Sequence, residues 1–513
     1  MSSIDWIANR IEAMRNDQFL PGEERSSLAA VIGSLLGDSA QYLVGMAVMG
    51  LANVFLLPIY TRFLSPSDFG LYALVELLAL TLISISGLGF AVSYLKSFAV
   101  SGPGEVSKLL GTMLWVNALA AAITGTGLSL FLASPESARL LRGDARPFAW
   151  LLLPLVLLET LQGVLLTHLR AQRRAGSFSW AAAIRLLSIA ALSIWLVVGR
   201  TEGLLGVFKA RVLGDVLACL VLWGMTASDL SWSASSPSAL SMAKYGLPVM
   251  GSALIMMILD GAGRFFLDHY GSLEQVGLYS VAVKISGIMR LLVVVPFGAA
   301  WGGLLFQIAK RPRAPLIYSK LMSYLVVASV SIALVLSLFS PLFLHILATR
   351  EYSRSLSCVP WLLLVQAAAV LQYPSSVGLY LGSATRWLPP IFSCGILVSF
   401  FLNRLLIPSF GVLGAAWAWL GAWVVITVLM ACVGQRYYPL HYEKKPFLIA
   451  CGACVLLLAA SRFGLLVGRT GAILGPAILS TVILAGAIAY VWDDLRTLGA
   501  GMASRGLSVE ENP

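Results

Sequence analysis

Long apolar runs, separated by short polar segments, follow one another along almost the whole sequence. Each run holds roughly 20 residues, which is the length that an α-helix needs to cross a hydrocarbon core about 30 Å thick. The runs are continuous and rich in Leu, Ala and Val, without the alternation over about ten residues that marks the strands of a membrane barrel. We therefore predict about fourteen transmembrane helices, over residues 33–60, 70–95, 108–133, 148–169, 179–199, 203–226, 246–269, 276–306, 318–346, 358–382, 388–407, 411–433, 446–467 and 471–491.

Three pairs of segments repeat at an offset of roughly 207 to 212 residues. This period is too long for a solenoid and is typical of the duplicated halves of a secondary transporter. Because the offset spans six predicted helices, an even number, both halves enter the membrane in the same direction as parallel repeats. The paired segments are Phe69–Leu74 with Val276–Val281, Ser107–Leu110 with Ser319–Met322, and Gly203–Gly206 with Gly411–Gly414.

The repeat predicts an all-α integral membrane protein of two six-helix bundles followed by an extra helix pair. We call residues 28–227 the N-terminal bundle and residues 246–434 the C-terminal bundle. The other predicted segments are a cytoplasmic N-terminal segment at 1–27, a cytoplasmic linker at 228–245, the helix pair at 446–491 and a cytoplasmic tail at 492–513. The first segment contains acidic residues and no apolar core before a cleavage site, so we do not expect a cleavable signal peptide.

Composition and charge support the membrane assignment. The chain is 58% hydrophobic and 12% charged, whereas a soluble domain carries about 25% charged residues. Lys and Arg are concentrated in the loops after even-numbered helices, at 168–174, 310–313 and 436–445. The positive-inside rule therefore places both termini in the cytoplasm. The net charge of +11 then reflects topology and lipid headgroups, and no nucleic-acid partner is expected.

Motifs for catalysis or cofactor binding are not expected from this sequence. The six cysteines lie in or beside apolar segments, and the four histidines lack zinc-site spacing. No glycine-rich phosphate loop occurs between a strand and a helix. We therefore predict a protein without a metal or cofactor that is not an enzyme.

Three stretches in order resemble the bacterial polysaccharide flippases. Residues 56–72 resemble the end of the first helix of the Wzx-like members of the multidrug/oligosaccharidyl-lipid/polysaccharide (MOP) exporter superfamily. Residues 246–279 are similar to the seventh helix and its following loop, and Ile407–Ala416 to the entry of the twelfth helix. The resemblance covers about residues 30 to 490. One departure is that Gly263, not an acidic residue, directly precedes Arg264.

The resemblance implies a MATE/MOP-like fold and a substrate class. Such proteins move undecaprenyl-diphosphate-linked oligosaccharides from the cytoplasmic to the outer leaflet. The diphosphate and sugars need a polar, cationic cavity between the two bundles, while the lipid tail stays in hydrocarbon. The expected partners are this lipid-linked substrate, membrane lipids, and a polysaccharide polymerase and co-polymerase.

Cations deep in predicted helices are the candidates for that cavity, because an unpaired charge at the bilayer centre costs several kcal/mol. Arg290 lies about halfway along the eighth helix. Two spacings also fit intrahelical ion pairs, Arg264 with Asp260 or Asp268 and Arg211 with Asp215. The five predicted substrate-binding residues are Arg290, Lys284, Arg264, Lys209 and Arg185.

Two acidic residues are candidates for coupling transport to protons or cations. Glu159 falls near the middle of the fourth predicted helix, with no basic residue one turn away on that helix. Glu76 lies about two turns into the second predicted helix. A buried carboxylate takes up a proton more readily unless a cation pairs with it, so either residue is able to link protonation to transport.

Two other functions remain open at this point. One is a cation-coupled small-molecule exporter of the same fold, which should prefer acidic cavity residues. The deep charges here lean basic, which favours an anionic cargo. The other is a non-transporting membrane scaffold for a polysaccharide-synthesis complex, which would not need charges in a cavity.

Overall fold

The structure is a computed structural model that describes residues 54–98, 101–231, 233–310 and 314–440, together with the single positions 442, 445, 446, 448, 452 and 483. The predicted N-terminal segment, most of the first predicted helix and the C-terminal tail lie outside the described residues. So does the predicted helix pair at 446–491, apart from four single positions.

The described ranges contain seventeen α-helices and no strand. Short 3₁₀ and π turns join several of them. The helices are α1 Leu57–Phe63, α2 Pro66–Ser86, α3 Phe90–Phe98, α4 Pro103–Ala133, α5 Pro135–Leu140, α6 Leu152–Ala171, α7 Ala175–Ser193, α8 Gly203–Thr226, α9 Ser236–Tyr270, α10 Leu273–Met289, α11 Val295–Ala309, α12 Ala314–Leu338, α13 Ser340–Leu347, α14 Val359–Ser375, α15 Val377–Leu381, α16 Leu388–Phe410 and α17 Val412–Gln435.

Ten helical stretches in the described part are long and apolar enough to cross a membrane. They correspond to the predicted helices 2–5 and 7–12, so the prediction of an all-α membrane protein is confirmed. The sixth predicted helix is present as α8 but is not among the ten. It carries Lys209, Arg211 and Asp215 close together, and these charges lower its apolar character. The total of fourteen spans stays a prediction.

Both copies of the repeated motif begin a helix in the same way. Ser65 precedes α2, and its Oγ accepts a hydrogen bond from the backbone N–H of Asp68 at 3.1 Å. Ser272 precedes α10, and its Oγ accepts from the backbone N–H of Gln275 at 3.3 Å. An N-cap serine followed by an acidic residue in the first turn stabilises a helix start. The repeat therefore specifies two equivalent helix beginnings.

The two copies also pack against each other. A Cβ built on Gly70 would overlap the carbonyl of Leu273 and lie 3.0 Å from the backbone N of Gly277. A Cβ built on Gly277 would overlap the carbonyl of Pro66. Only glycine at these positions allows backbones to approach so closely. The motif thereby brings α2 of the N-terminal bundle against α10 of the C-terminal bundle.

Contacts between the bundles occur at both ends of α2. Near its first residue, Thr61 Oγ1 donates to the carbonyl of Leu347 at 2.8 Å, and the Tyr352 hydroxyl donates to the carbonyl of Leu64 at 3.0 Å. The predicted topology places this end outside the cell.

At the other end, the chain breaks between α2 and α3, where Leu88 and Gly89 have φ angles of 49° and 67°. A Cβ on Gly89 would overlap the carbonyl of Gly246, near the start of α9. The ammonium group of Lys96 lies 4.4 Å from the ring centroid of Tyr245. The short helix α3 therefore makes the contact with the C-terminal bundle at the predicted cytoplasmic end.

The eighth predicted helix is interrupted. It consists of α10, a π turn at Arg290–Val294 and α11. Pro296 is the second residue of α11, and a proline removes an N–H donor from the helical ladder and disturbs the preceding turn. The π turn accommodates this break and sets the direction of Arg290.

Candidate functional site

Six charged side chains form a continuous series of ion pairs inside the helix bundle. Acidic and basic groups alternate along it, and we call it the buried ion-pair series. Its members come from five different helices, α8, α7, α6, α2 and α10. In order they are Asp215, Arg185, Glu159, Arg211, Glu76 and Lys284.

The first part of the series lies within the N-terminal bundle. Arg185 Nε donates to Asp215 Oδ1 at 2.7 Å, and Arg185 Nη2 lies 2.9 Å from Glu159 Oε1. The same oxygen of Glu159 accepts from Arg211 Nη2 at 2.6 Å. Each guanidinium therefore holds two carboxylates, as its fork of N–H groups allows.

The second part crosses to the C-terminal bundle. Arg211 Nη1 lies 3.2 Å from Glu76 Oε1, and this oxygen also accepts from the Tyr72 hydroxyl at 2.7 Å. Lys284 Nζ lies 3.4 Å from Glu76 Oε2. Because Glu76 belongs to α2 and Lys284 to α10, the close packing of Gly70 and Gly277 positions this last ion pair.

The series lies at mid-membrane depth. Its members stand between eight and thirteen residues along their helices, or about 12–20 Å at 1.5 Å per residue. Five of the six side chains are at most 14% exposed, Arg185 is 24% exposed, and Asp215 has no exposed surface. Isolated buried charges are costly, but three carboxylates here face three cations.

A cavity of about 130 Å³ adjoins the series. Its polar wall is formed by Tyr72, Glu76, Glu159, Arg185 and Arg211, and its apolar wall by side chains of α2 and α7 together with Leu56. Polar and charged groups thus line an internal space that lies between helices of the N-terminal bundle.

Glu159 is not an isolated carboxylate. The sequence shows no basic residue one turn away on its own helix, but α7 and α8 supply Arg185 and Arg211. The intrahelical pair considered for Arg211 and Asp215 is replaced by pairs between helices, since Asp215 binds Arg185.

The other predicted cations lie apart from the series. Arg290 forms an ion pair with Asp260 at 3.1 Å, and its side chain is 52% exposed. Lys209 pairs with Glu202 at 2.6 Å, near the first residue of α8. Neither lines the cavity.

Arg264 has a different kind of partner. Its Nε donates to Ser280 Oγ on α10 at 3.2 Å. Asp260, one of its expected intrahelical partners, binds Arg290 instead. Among the predicted substrate-binding residues, Arg264 is the one for which the described part of the chain shows a hydroxyl partner and no carboxylate ion pair.

Sequence reasoning found Glu76, Glu159, Arg185 and Lys284 but did not assign a site role to Asp215 or Arg211. Because Arg211 and Asp215 are four residues apart on one helix, the sequence suggested that they pair with each other, and it gave no reason to look for partners on other helices. The available signal was that the second, fourth, fifth, sixth and eighth predicted helices hold three deep acids and five deep bases, so that each acid had possible cationic partners on other helices.

Comparison with known proteins gives a family and a fold. Residues 37–309, just over half of the chain, match the sequence profile of a family described as polysaccharide biosynthesis protein. The succinoglycan biosynthesis transport protein ExoT of Rhizobium meliloti (strain 1021) is 24% identical over 276 residues, which cover 49% of this chain and 50% of the relative. The chain therefore spans about half the length of this curated relative.

Solved structures share the fold. The lipid II flippase MurJ, in an inward closed conformation, has a TM-score of 0.70 at 12% identity, over 90% of this chain and 99% of that chain. A multidrug resistance MATE family transporter of the MOP superfamily, in an inward-facing conformation, has a TM-score of 0.58 at 15% identity, over 77% of this chain and 97% of that chain. These likenesses confirm the predicted MATE/MOP-like fold.

Proposed function

Because the chain belongs to the polysaccharide biosynthesis protein family and has a MOP exporter fold, we propose that it is a flippase for undecaprenyl-diphosphate-linked oligosaccharides. In this proposal it serves surface or exopolysaccharide synthesis in the bacterial inner membrane, with both termini in the cytoplasm. The name of ExoT, a succinoglycan transport protein, and that of MurJ, a lipid II flippase, support a glycan cargo carried on a lipid.

The observation that carries the proposal is the set of cations on α9, on α10 and in the π turn that follows α10. Arg264 is partly buried and donates to the hydroxyl of Ser280. Lys284 forms an ion pair with Glu76, and Arg290 forms one with Asp260. The group therefore has excess positive charge, mainly from Arg264. A diphosphate carries about two negative charges and is attracted strongly in a low-dielectric site. A guanidinium also matches phosphate oxygens with two parallel hydrogen bonds.

We propose a graded contribution from the residues identified in the sequence. Arg264 binds the diphosphate directly, with Lys284 and Arg290 beside it. Arg185 supports the site through the buried ion-pair series, and Lys209 stands at the end of α8. Glu76 and Glu159 remain the candidates for coupling, since they link the cations of different helices. Rocking of the two bundles then exposes the site alternately to each side of the membrane.

A drug exporter of the same fold is less well supported. Such a protein needs carboxylates available to cationic substrates. Here Glu76, Glu159 and Asp215 are each bound by a guanidinium or ammonium group, so the acidic groups of the series are already neutralised. If the protein were a scaffold that does not transport, its contribution to polysaccharide synthesis would not depend on the charge of Arg264. Substitution of Arg264 therefore distinguishes a scaffold from a flippase.

Arg264→Ala should abolish glycan export, because the uncompensated cation at the diphosphate is lost. Arg264→Lys should retain part of the activity, since an ammonium keeps the charge but not the bidentate geometry. The measurement is glycan export in a strain lacking the chromosomal gene, together with lipid-linked oligosaccharide retained in the inner leaflet. Arg404→Ala, an exposed arginine on α16, is the matched control and should export normally. Normal export by Arg264→Ala at normal protein level would contradict the proposed site.

A further inference from the structure

The two ends of the buried ion-pair series differ from its interior. The four interior members each contact two groups of opposite charge, whereas Asp215 and Lys284 each contact one. Lys284 stands at the end that belongs to the C-terminal bundle. Asp215 stands at the other end, deep in the N-terminal bundle.

Among the three carboxylates of the series, Asp215 also accepts hydrogen bonds from the fewest donors. Its Oδ1 accepts from Arg185, but its buried Oδ2 has no hydrogen-bond partner among the residues that the structure describes. Glu159 is held by two guanidinium groups, and Glu76 by a guanidinium, an ammonium and the Tyr72 hydroxyl. A buried polar atom without a partner is costly.

The position of Asp215 is fixed by its neighbours. The side chain of Gln162 on α6 donates to the Asp215 carbonyl at 3.1 Å. A Cβ on the adjacent Gly214 would lie 3.1 Å from the backbone N of Ile189, so α8 packs tightly on α7 beside Arg185. The carboxylate therefore has little freedom to seek another donor.

We propose that Asp215 is a proton-binding site whose proton affinity is set by the ion pair between Lys284 and Glu76. The proposal rests on the proposed function only for the relative movement of the two bundles. When Lys284 moves away with α10, three carboxylates share two guanidinium groups, and the series carries one excess negative charge. Arg211 then moves toward Glu76 and Arg185 toward Glu159, which leaves Asp215 without its donor.

One proton restores neutrality in that arrangement. It is taken up from the bulk aqueous phase by way of the cavity beside Arg185 and Glu159 and binds Oδ2 of Asp215, converting the carboxylate to a neutral carboxylic acid. When Lys284 returns, the pairs shift back and the proton is released. Movement between the bundles is thus coupled to protonation and deprotonation of Asp215. The carboxylates of Glu76 and Glu159 stay ionised throughout.

The charged groups that act on Asp215 come from every helix around it. They are Arg185 on α7, Glu159 on α6 and Arg211 on α8. Tyr60 of α1 and Cys219 of α8 are the nearby groups that also titrate, but both remain neutral near pH 7.

Infrared spectroscopy of the purified full-length protein tests the proposal without a substrate. A protonated carboxylic acid gives a carbonyl stretching band that a carboxylate lacks. In wild type this band should grow only at acidic pH. Lys284→Met should move its midpoint upward by at least about one pH unit, a tenfold change in proton affinity, because a cation of the series is removed. The other Asp and Glu side chains give the same band at acidic pH, so the signal is the component that Lys284→Met moves to higher pH. The double variant Lys284→Met with Asp215→Asn should lose that component.

A second variant predicts the opposite sign. Glu76→Gln leaves three cations for two carboxylates, so the midpoint should move to lower pH. Arg404→Met, which removes an exposed cation of α16 outside the series, is the control and should titrate as wild type. A shifted band that persists in the Asp215→Asn background would assign the proton to another carboxyl and overturn the proposal. Unchanged midpoints in both Lys284→Met and Glu76→Gln would also overturn it.

The outcome is independent of the flippase test. Loss of glycan export in Arg264→Ala bears on the cargo, whereas the infrared titration needs no glycan. The Asp215→Asn variant could export glycan normally at every pH while the Lys284→Met and Glu76→Gln variants titrate as predicted. That result would show that Asp215 binds a proton but that its protonation is not coupled to movement of the bundles, and this part of the proposal would be overturned.

Discussion

At the scale of single residues, polar and charged groups near the predicted cytoplasmic end of the N-terminal bundle form a second network. The Tyr94 hydroxyl lies 2.7 Å from Nδ1 of the buried His168, and His168 Nε2 lies 3.2 Å from Asp229 Oδ2. Gln172 Nε2 donates to the same oxygen at 2.9 Å. The network joins α3, α6 and the turn after α8. It fixes the short helix α3, which contacts α9 of the other bundle.

This network predicts a pH-dependent contribution to stability. Partial burial acts to raise the pKa of the Asp229 carboxyl, but hydrogen bonds from Gln172 and His168 outweigh it and hold the pKa below its usual value. Because the pKa of Asp229 is lower in the folded protein than in the unfolded chain, where it is about 3.9, the ionised carboxylate stabilises the fold at pH values above 3.9. This contribution is lost as the pH falls through the folded-state pKa.

Asp229→Asn should therefore lower the free energy of unfolding at pH 7 by about 1 kcal/mol, a small effect because the site is partly exposed. The difference from wild type should narrow below about pH 4. Thermal unfolding in detergent across this pH range measures it, with Lys108→Gln, at an exposed position of α4, as a neutral control. A constant difference at all pH values would assign the effect to packing.

The deep charges themselves were predictable from sequence, but their partners were not. Glu76, Glu159, Arg185 and Lys284 are conspicuous because they interrupt apolar runs. Which charges meet depends on the rotation and crossing of five helices, and local i,i+4 spacing suggested a pair between Arg211 and Asp215 that the interhelical contacts replace. Spacing along one helix carries no information about its neighbours.

At the scale of helices, the repeated motif determines how the bundles meet. Gly70 and Gly277 allow α2 and α10 to pack backbone against backbone. The sequence predicted the existence and approximate limits of these helices from their apolar length. It did not predict the break at Leu88–Gly89, which depends on local backbone geometry within a continuous apolar run. Pro296 marks a disturbed helix near Arg290–Val294, but a proline does not specify that the disturbance is a π turn.

Gly70→Ala should destabilise the protein by about 1–3 kcal/mol, since its Cβ would press on the backbone of α10 and the helices would have to separate. The matched control is Gly163→Ala on α6, where a Cβ would meet nothing within 4 Å. There the better helix propensity of alanine should leave stability unchanged or raise it by up to about 1 kcal/mol. Thermal unfolding of both variants is the measurement, and equal stabilities would contradict the close crossing of α2 and α10.

At the scale of the whole molecule, the contacts at the predicted outer end hold the bundles together there. Arg142 in the loop after α5 donates to the carbonyls of Gly271 and His269, at the end of α9, at 2.7 and 2.8 Å. With the hydrogen bonds of Thr61 and Tyr352, this arrangement keeps the outer ends of the bundles in contact. In an alternating-access cycle these bonds must break before the site opens outward.

Arg142→Ala should therefore favour outward opening. A hydrogen bond to a charged group contributes about 1.5–3 kcal/mol, and less where that group is exposed, as Arg142 is. Because about 1.4 kcal/mol changes an equilibrium tenfold, we expect roughly a tenfold rise in the open population. A single cysteine at Ser280, beside Arg264, in a background lacking the native cysteines should react correspondingly faster with a membrane-impermeant thiol reagent added outside. Arg139→Ala in the same segment removes an arginine at the end of α5 and should leave the labelling rate unchanged. Equal rates in the two variants would mean that the Arg142 contacts do not control the outer closure, and the barrier to opening would then rest on the packing of α2 against α10.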